Sequence, residues 1–416
     1  MSNNVRRSIV IYACAFAVVG VTPFLLLPIL TKRLSPSQFG EVTSFLVLSA
    51  LLANLAGLST HGFVSVRFFK STSVQFKALV SSSIAALGVI HTAAAVIVTL
   101  LFPVLAQAFG LPLVYTLLAV LAALFLNLNL VFLAIFQSSN KPLLYLRARL
   151  VQGLLEYTLC MGLIFMVAAD AGSRIYSYVV AISASALVGL YYCKRNGQVG
   201  DAVDQANLKA LVTFGVPMLP HIVAGTAITY MDRLFVSSLL GTESLGIYMV
   251  AMQVGMGMIA LIEPLNKALA PWLFERLSKG APEVRHMIVL RTYQLYIALA
   301  IMGVLVASVA HIFFDTFVGE KFTAARSLIP WMVAGYVLQG MYYSVVNYMF
   351  YAERTGLLSL VTGTTAAVGC AISYTLTSAF GLQGAAASFL LNNILMFVLV
   401  WAVAAQAVPM PWRLGR

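Results

Sequence analysis

The chain has 416 residues, of which 61% are hydrophobic and 9% charged, and 25 Lys and Arg against 13 Asp and Glu leave a net charge of +12. A water-soluble domain covers its surface with roughly 25% charged residues. This composition therefore excludes a soluble globular protein and requires lipid.

Charge-free runs place the spans, since about 20 apolar residues cross the hydrocarbon core. Residues 8–31 form the first run, which is too long for a signal-peptide core and reads as an uncleaved helix. Residues 42–60 form the second. Residues 78–140 contain no Asp, Glu, Lys or Arg, and Phe102-Pro103 with Gly110-Leu111-Pro112 fold that stretch into two spans. Spans near 150–169 and 175–193 follow. After the polar stretch 194–209 come spans near 211–239, 244–266, 288–314 and 327–351. Residues 355–412 are a second charge-free double run, turned at Phe380-Gly381-Leu382-Gln383-Gly384. The sequence thus predicts an all-α integral membrane protein of about twelve transmembrane helices. Residues 1–193 would form an N-terminal six-helix lobe, 194–210 a cytoplasmic linker and 211–416 a C-terminal six-helix lobe.

Orientation follows from Lys and Arg. With the N-terminus inside, the cytoplasmic face receives Arg6, Arg7, Arg67, Lys70, Lys77, Lys141, Arg147 and Arg149. It also receives Lys194, Arg195, Lys209, Lys267, Arg276, Lys279, Arg285, Arg291, Arg354, Arg413 and Arg416. The outer face receives Lys32, Arg33, Arg174, Arg233, Lys321 and Arg326. The split of 19 to 6 puts both termini in the cytoplasm. The positive charge reports topology and contact with anionic membrane lipids; scattered over short loops, it does not form a nucleic-acid surface.

An even number of spans before the linker means that the second half enters the membrane in the same sense, which predicts parallel repeats. At a shift of about 206 positions, Leu34-Ser-Pro-Ser-Gln-Phe39-Gly40-Glu41 lies over Leu240-Gly-Thr-Glu-Ser-Leu245-Gly246-Ile247. The same shift makes His61 and Lys267 equivalent, and Glu263 lies one turn before Lys267. If both helices border a central cavity, their cationic groups would suit an anionic phosphate head.

No motif for covalent chemistry is present: there is no phosphate-binding Gly-rich loop and no paired-His zinc helix. Gly255-Met256-Gly257 with Ala260 lies inside an apolar span and reads as helix packing. Cys14, Cys160, Cys193 and Cys370 have no metal-ligand spacing and read as packing residues. Neither an enzyme nor a bound cofactor is expected.

Ionisable residues within spans cost about 2.5–3.5 kcal/mol each at the bilayer centre and usually face a polar cavity or a partner. Glu156, Asp232, Arg233, Glu263 and Lys267 are the candidates. For Asp232 and Arg233 the alternative is snorkelling at a helix end; for Lys267 it is the cytoplasmic headgroup layer. His91 reads as a packed, hydrogen-bonded ring. Pro23 and Pro28 in the first span, Pro217 and Pro220 in the seventh, and Pro264 and Pro271 at the end of the eighth mark either kinks along a transport path or ordinary packing bends.

Leu30-Thr-Lys-Arg33-Leu-Ser-Pro-Ser-Gln-Phe39-Gly40-Glu41 resembles the first periplasmic turn of Wzx-type polysaccharide flippases, of the multidrug/oligosaccharidyl-lipid/polysaccharide exporter superfamily. Phe214-Gly-Val-Pro217-Met-Leu-Pro220, Tyr230-Met-Asp232-Arg233 and Gly241 to Gly246-Ile247-Tyr248 look like the start of that family's second lobe. Phe136-Gln137 and Lys141-Pro142 are also similar to it. The resemblance implies a fold of two six-helix lobes, like that of the multidrug and toxic compound exporters, opening alternately to either side of a bacterial inner membrane. It implies an undecaprenyl-diphosphate-linked oligosaccharide as substrate, moved outward for assembly of a surface polysaccharide such as O-antigen, capsule or exopolysaccharide. It also implies a polymerase and a chain-length regulator as partners. Diphosphate contact would fall to His61, Arg67, Arg233 and Lys267. Coupling to a proton or sodium gradient would fall to Asp232, Glu263 or Glu156. The rival readings are a cation-coupled drug exporter of the same superfamily and a membrane-embedded glycan polymerase or ligase.

Overall fold

Local signals set where the helices begin and end. The computed structural model describes residues 3–200, 202–278 and 281–412; Lys279, Arg413 and Arg416 lie outside the described residues, as do the side chains of Arg6 and Arg7. Helix α1 (Asn3–Arg33) ends on Lys32 and Arg33, cations suited to a helix C-terminus. Helix α2 (Pro36–Ala56) opens with a reciprocal capping box. The Gln38 backbone N–H donates to Ser35 Oγ (3.2 Å), and the Ser35 N–H donates to Gln38 Oε1 (2.9 Å). The motif at 34–41 is therefore a helix start. The second span stops before residue 60, because Leu58 and Ser59 are left-handed (φ 46° and 51°), and the short helix α3 (Thr60–Phe68) follows. Thr72 and Gln75 repeat the capping box before α4 (Ser73–Leu100). Helix α5 (Phe102–Phe109) occupies the expected turn and ends at Gly110 (φ 65°). Helices α6 (Leu113–Ser138), α7 (Pro142–Met166) and α8 (Ala171–Arg195) complete the first half.

The second half contains α9 (Gln205–Gly215), a 3₁₀ turn at Val216–Met218, α10 (Leu219–Ser278), α11 (Pro282–Ile312) and α12 (Phe314–Phe317). A 3₁₀ segment at Glu320–Leu328, α13 (Ile329–Tyr351) and α14 (Thr355–Ala407) follow. Gly241 (φ 84°, ψ 173°) interrupts α10 and Gly381 (φ 58°, ψ −137°) interrupts α14. Tyr248 is hydrogen-bonded to Asp232, 16 residues away, and Asn392 to Ser373, 19 residues away. A straight helix would hold such residues about 24–29 Å apart, so each long helix is a hairpin folded at its glycine. Eight helical stretches among the described residues are long and apolar enough to cross a membrane. With the two hairpins divided, and α1 (31 residues) and α13 (23 residues) added on length, the crossing segments reach the twelve expected.

The prolines behave unequally. Pro23 and Pro28 stay inside a continuous α1, and Pro264 and Pro271 inside α10; only Pro217 sits at a break in α geometry. Helices also outrun the predicted spans, α10 reaching Ser278 and α7 starting at Pro142. Hydropathy marks only the length inside hydrocarbon, whereas a helix continues wherever headgroups and water accept its charged turns.

The chain clusters into two units, residues 1–226 with 241–243, and 227–240 with 244–416. The first has a core of Phe63, Phe76, Leu87, Phe132, Phe136 and Leu211. Its segment between α8 and α9 is tied down: the Gly200 and Asp204 N–H groups donate to Ser81 Oγ (2.7 Å) and Ser82 Oγ (2.9 Å). The second has a core of Leu273, Ile288, Val345, Tyr348 and Phe397, on which Trp401 and Trp412 pack.

Turn geometry repeats along the chain. Leu101 (φ −89°, ψ 7°) after α4 and Phe313 (φ −93°, ψ 7°) after α11 each cap one helix and begin a short one. Asn140 after α6 (φ 51°) and Glu353 after α13 (φ 55°) are both left-handed. Each is followed by an N–H that reaches five residues back, Lys141 to Phe136 and Arg354 to Met349. On α11, Ile297, Ile301, Val304, Leu305 and Ile312 are all exposed, at helical spacing. An apolar stripe on the outer face of a packed unit is a surface for lipid.

Candidate functional site

The hairpin at Gly241 builds one polar cluster in the second unit. Asp232 and Arg233 are each 11% exposed, with Nη1 and Oδ1 3.7 Å apart. The fully buried Tyr248 donates its hydroxyl to Asp232 Oδ2 at 2.7 Å. Arg233 also donates to the Thr229 carbonyl and to the Met252 sulfur (2.9 Å), and its guanidinium lies over the Tyr230 ring at 5.3 Å. The pair is held inward by a network, so the snorkelling alternative fails. Tyr248 is thus a partner of that network.

Glu156 is also buried, and it is paired. Arg174, in the first turn of α8, donates Nη2 to Glu156 Oε1 at 2.6 Å, and both side chains are 5% exposed. Arg174 lies over the Tyr178 ring at 5.9 Å. Its count among outer-loop cations gave no hint of a partner 18 residues back.

Arg67 lies on α3, exposed, with its guanidinium 5.6 Å from the Phe63 ring centroid. Arg67, Lys209, Phe63, Thr213 and Phe214 line a groove of about 530 Å³ in the first unit. Two cations beside two aromatic rings suit a phosphate carrying an apolar or sugar substituent. His61, exposed on the same helix, is not among the lining residues. Lys209 read only as a linker charge, and the fold of α9 back against α3 and α4 brings it here.

Glu263 and Lys267 form the expected i, i+4 pair at 3.6 Å, with Lys267 72% and Glu263 32% exposed. At that exposure Lys267 fits the headgroup alternative. His91 is a packed ring: its Nδ1 lies 2.8 Å from the Leu87 carbonyl and its Nε2 3.3 Å from Asn127 Nδ2. Asn127 also donates to the Ala53 carbonyl (3.0 Å) at the end of α2. Gly255 packs against Met332 and Tyr336 of α13, the close helix approach its motif predicted. Among the described residues no cluster of His, Cys, Asp and Glu has the arrangement of a metal site.

A Haemophilus influenzae protein described as an uncharacterized membrane protein is 25% identical over 341 residues, 81% of either chain. The fold is shared with an inward-facing multidrug resistance MATE family transporter of the MOP superfamily, at TM-score 0.70 and 15% identity over 96% of this chain and 98% of that one. It is also shared with the lipid II flippase MurJ in an inward closed conformation, at TM-score 0.67 and 12% identity over 96% and 86%. Residues 5–277 match the polysaccharide biosynthesis protein family, so this multi-pass membrane chain belongs to that family.

Proposed function

We propose that the protein is a flippase that moves an undecaprenyl-diphosphate-linked oligosaccharide from the cytoplasmic to the periplasmic leaflet of a bacterial inner membrane. The family match over residues 5–277 carries this reading, and a fold shared with the lipid II flippase MurJ supports it. A sugar hydroxyl taken into hydrocarbon without a partner costs several kcal/mol, and an oligosaccharide carries many. A wet path through the protein removes that cost while the lipid tail stays in the bilayer. An inside-negative potential favours outward movement of a dianionic head by about 4–5 kcal/mol at 100 mV.

Within this reading Arg67 and Lys209, which line one groove, are diphosphate contacts, whereas His61 lies off that groove, Arg233 is engaged by Asp232 and Lys267 fits the headgroup layer. Asp232 is the coupling carboxylate for a proton or sodium ion, since binding either one competes with the Tyr248 and Arg233 contacts. Glu263 is a second coupling candidate. Glu156, neutralised by Arg174, is a structural group. Both termini face the cytoplasm.

Deletion of the gene tests the function. It should cause lipid-linked repeat units to accumulate on the cytoplasmic leaflet and surface polysaccharide to disappear, both restored by the wild type and not by Asp232→Asn. A deletion strain with normal polysaccharide and raised sensitivity to cationic drugs would replace this reading by drug export.

A further inference from the structure

A cavity of about 560 Å³ inside the second unit is used by none of the groups assigned above. Its size falls in the range of roughly 300–1,000 Å³ typical of ligand pockets. The cytoplasmic half of α10 supplies Leu265, Leu269 and Leu273 to one wall. Their spacing of four residues makes a single apolar stripe along that helix. Leu295, Ala298 and Leu299 of α11 face it.

Most of the rest of the lining is polar. Arg291 and Gln294 sit on α11, joined by a hydrogen bond from Nη1 to Oε1 at 3.0 Å. Asn266 and Asn347 join α10 to α13 at 2.9 Å. The Tyr348 hydroxyl in the floor is buried and closes no hydrogen bond. With the Thr292 and Ser344 hydroxyls, the lining offers a cation, amides and hydroxyls, and no carboxylate among the described residues. The α11 wall continues from Arg291 through Gln294 and Ala298 to Ile301 and Leu305, at spacings of three and four. Ile301 and Leu305 belong to the exposed apolar stripe of α11. A surface continuous with the lipid-facing stripe receives its occupant from the bilayer.

We infer that this cavity seats the phosphate-proximal isoprene units of an anionic lipid carrier, with the carrier's phosphate at Arg291 in a bound state distinct from that at Arg67 and Lys209. The wall formed by Leu265, Leu269, Leu273, Leu295 and Leu299 offers no partners for sugar hydroxyls. It accepts hydrocarbon, while a single guanidinium flanked by amides matches a phosphate. A two-chained phospholipid would place one chain inside and leave the other on the stripe, whereas a polyisoprenoid phosphate has one chain and one anionic head. The inference rests on the lipid-linked substrate proposed above and adds the place where the carrier is gripped.

Native mass spectrometry of the full-length protein, titrated with undecaprenyl phosphate or phosphatidylglycerol, tests it. The wild type should retain undecaprenyl phosphate preferentially. Arg291→Gln, an exposed and structurally tolerant change, should weaken that retention by about tenfold through loss of a charge-assisted hydrogen bond. Ala298→Trp, which fills the cavity, should weaken it as much. Equal retention of the two lipids, or undiminished undecaprenyl phosphate binding by both variants, overturns the inference. If those variants bind and restore polysaccharide export as the wild type does, the cavity assignment alone falls and the flippase reading stands. If the wild type itself neither binds the polyisoprenoid nor restores export, the flippase reading falls.

Discussion

At the scale of residues, placement inside a span did not separate charges that serve structure from charges available to a substrate. Glu156 and Asp232 look alike in sequence, each an acid in apolar text. The fold gives one a guanidinium at 2.6 Å from a neighbouring helix, and the other a tyrosine hydroxyl with a more distant arginine. Hydropathy could not find these partners because they join positions separated by a helix reversal. Glu156→Gln should leave Arg174 as a buried uncompensated charge and cost about 3–5 kcal/mol, read as a lowered melting temperature in detergent. Glu156→Leu combined with Arg174→Met should recover most of that loss. If Glu156→Gln abolishes transport and leaves the melting temperature unchanged, Glu156 is a transport group and the structural role assigned to it is wrong.

At the scale of elements, punctuation marks a boundary where its chemistry is local. Ser35-Pro36 with Gln38, Gly110 before Pro112, and Gly381 all mark real boundaries. Prolines were less informative, since a helix buried among others tolerates Pro28 or Pro264 when neighbours or water satisfy the freed carbonyl. The left-handed pair Leu58-Ser59 that separates α2 from α3 has no glycine or proline signal at those two positions, and Asn127 of another helix anchors the Ala53 carbonyl in the last turn of α2. Gly241 provides the sharpest test. Its φ of 84° and ψ of 173° are nearly confined to glycine, and nothing lies within 4 Å of a Cβ added there. Gly241→Ala should therefore cost about 1–3 kcal/mol from backbone strain alone. Gly62→Ala, in the open on α3, should be neutral or slightly stabilising. Equal melting temperatures for the two variants would show that the α10 hairpin does not depend on that backbone geometry.

At the scale of the whole molecule, the charge asymmetry predicts an experimentally simple topology. On a background lacking native cysteines, Lys321→Cys should react with a membrane-impermeant maleimide in intact spheroplasts, and Lys194→Cys only after permeabilisation. The reverse pattern would invert the protein and the direction of the proposed transport. The sequence by itself determined the membrane class, the all-helical fold and the place of several turns. These depend on the cost of burying charge in hydrocarbon and on capping and glycine chemistry, which act over a few neighbouring residues. Only the tertiary structure decided that Arg174 neutralises Glu156, that Lys209 joins Arg67, and that three helices enclose a leucine-walled cavity beside Arg291. Those facts depend on which helix faces pack together, and a face that packs on protein and a face that meets lipid are equally apolar, so hydropathy cannot tell them apart.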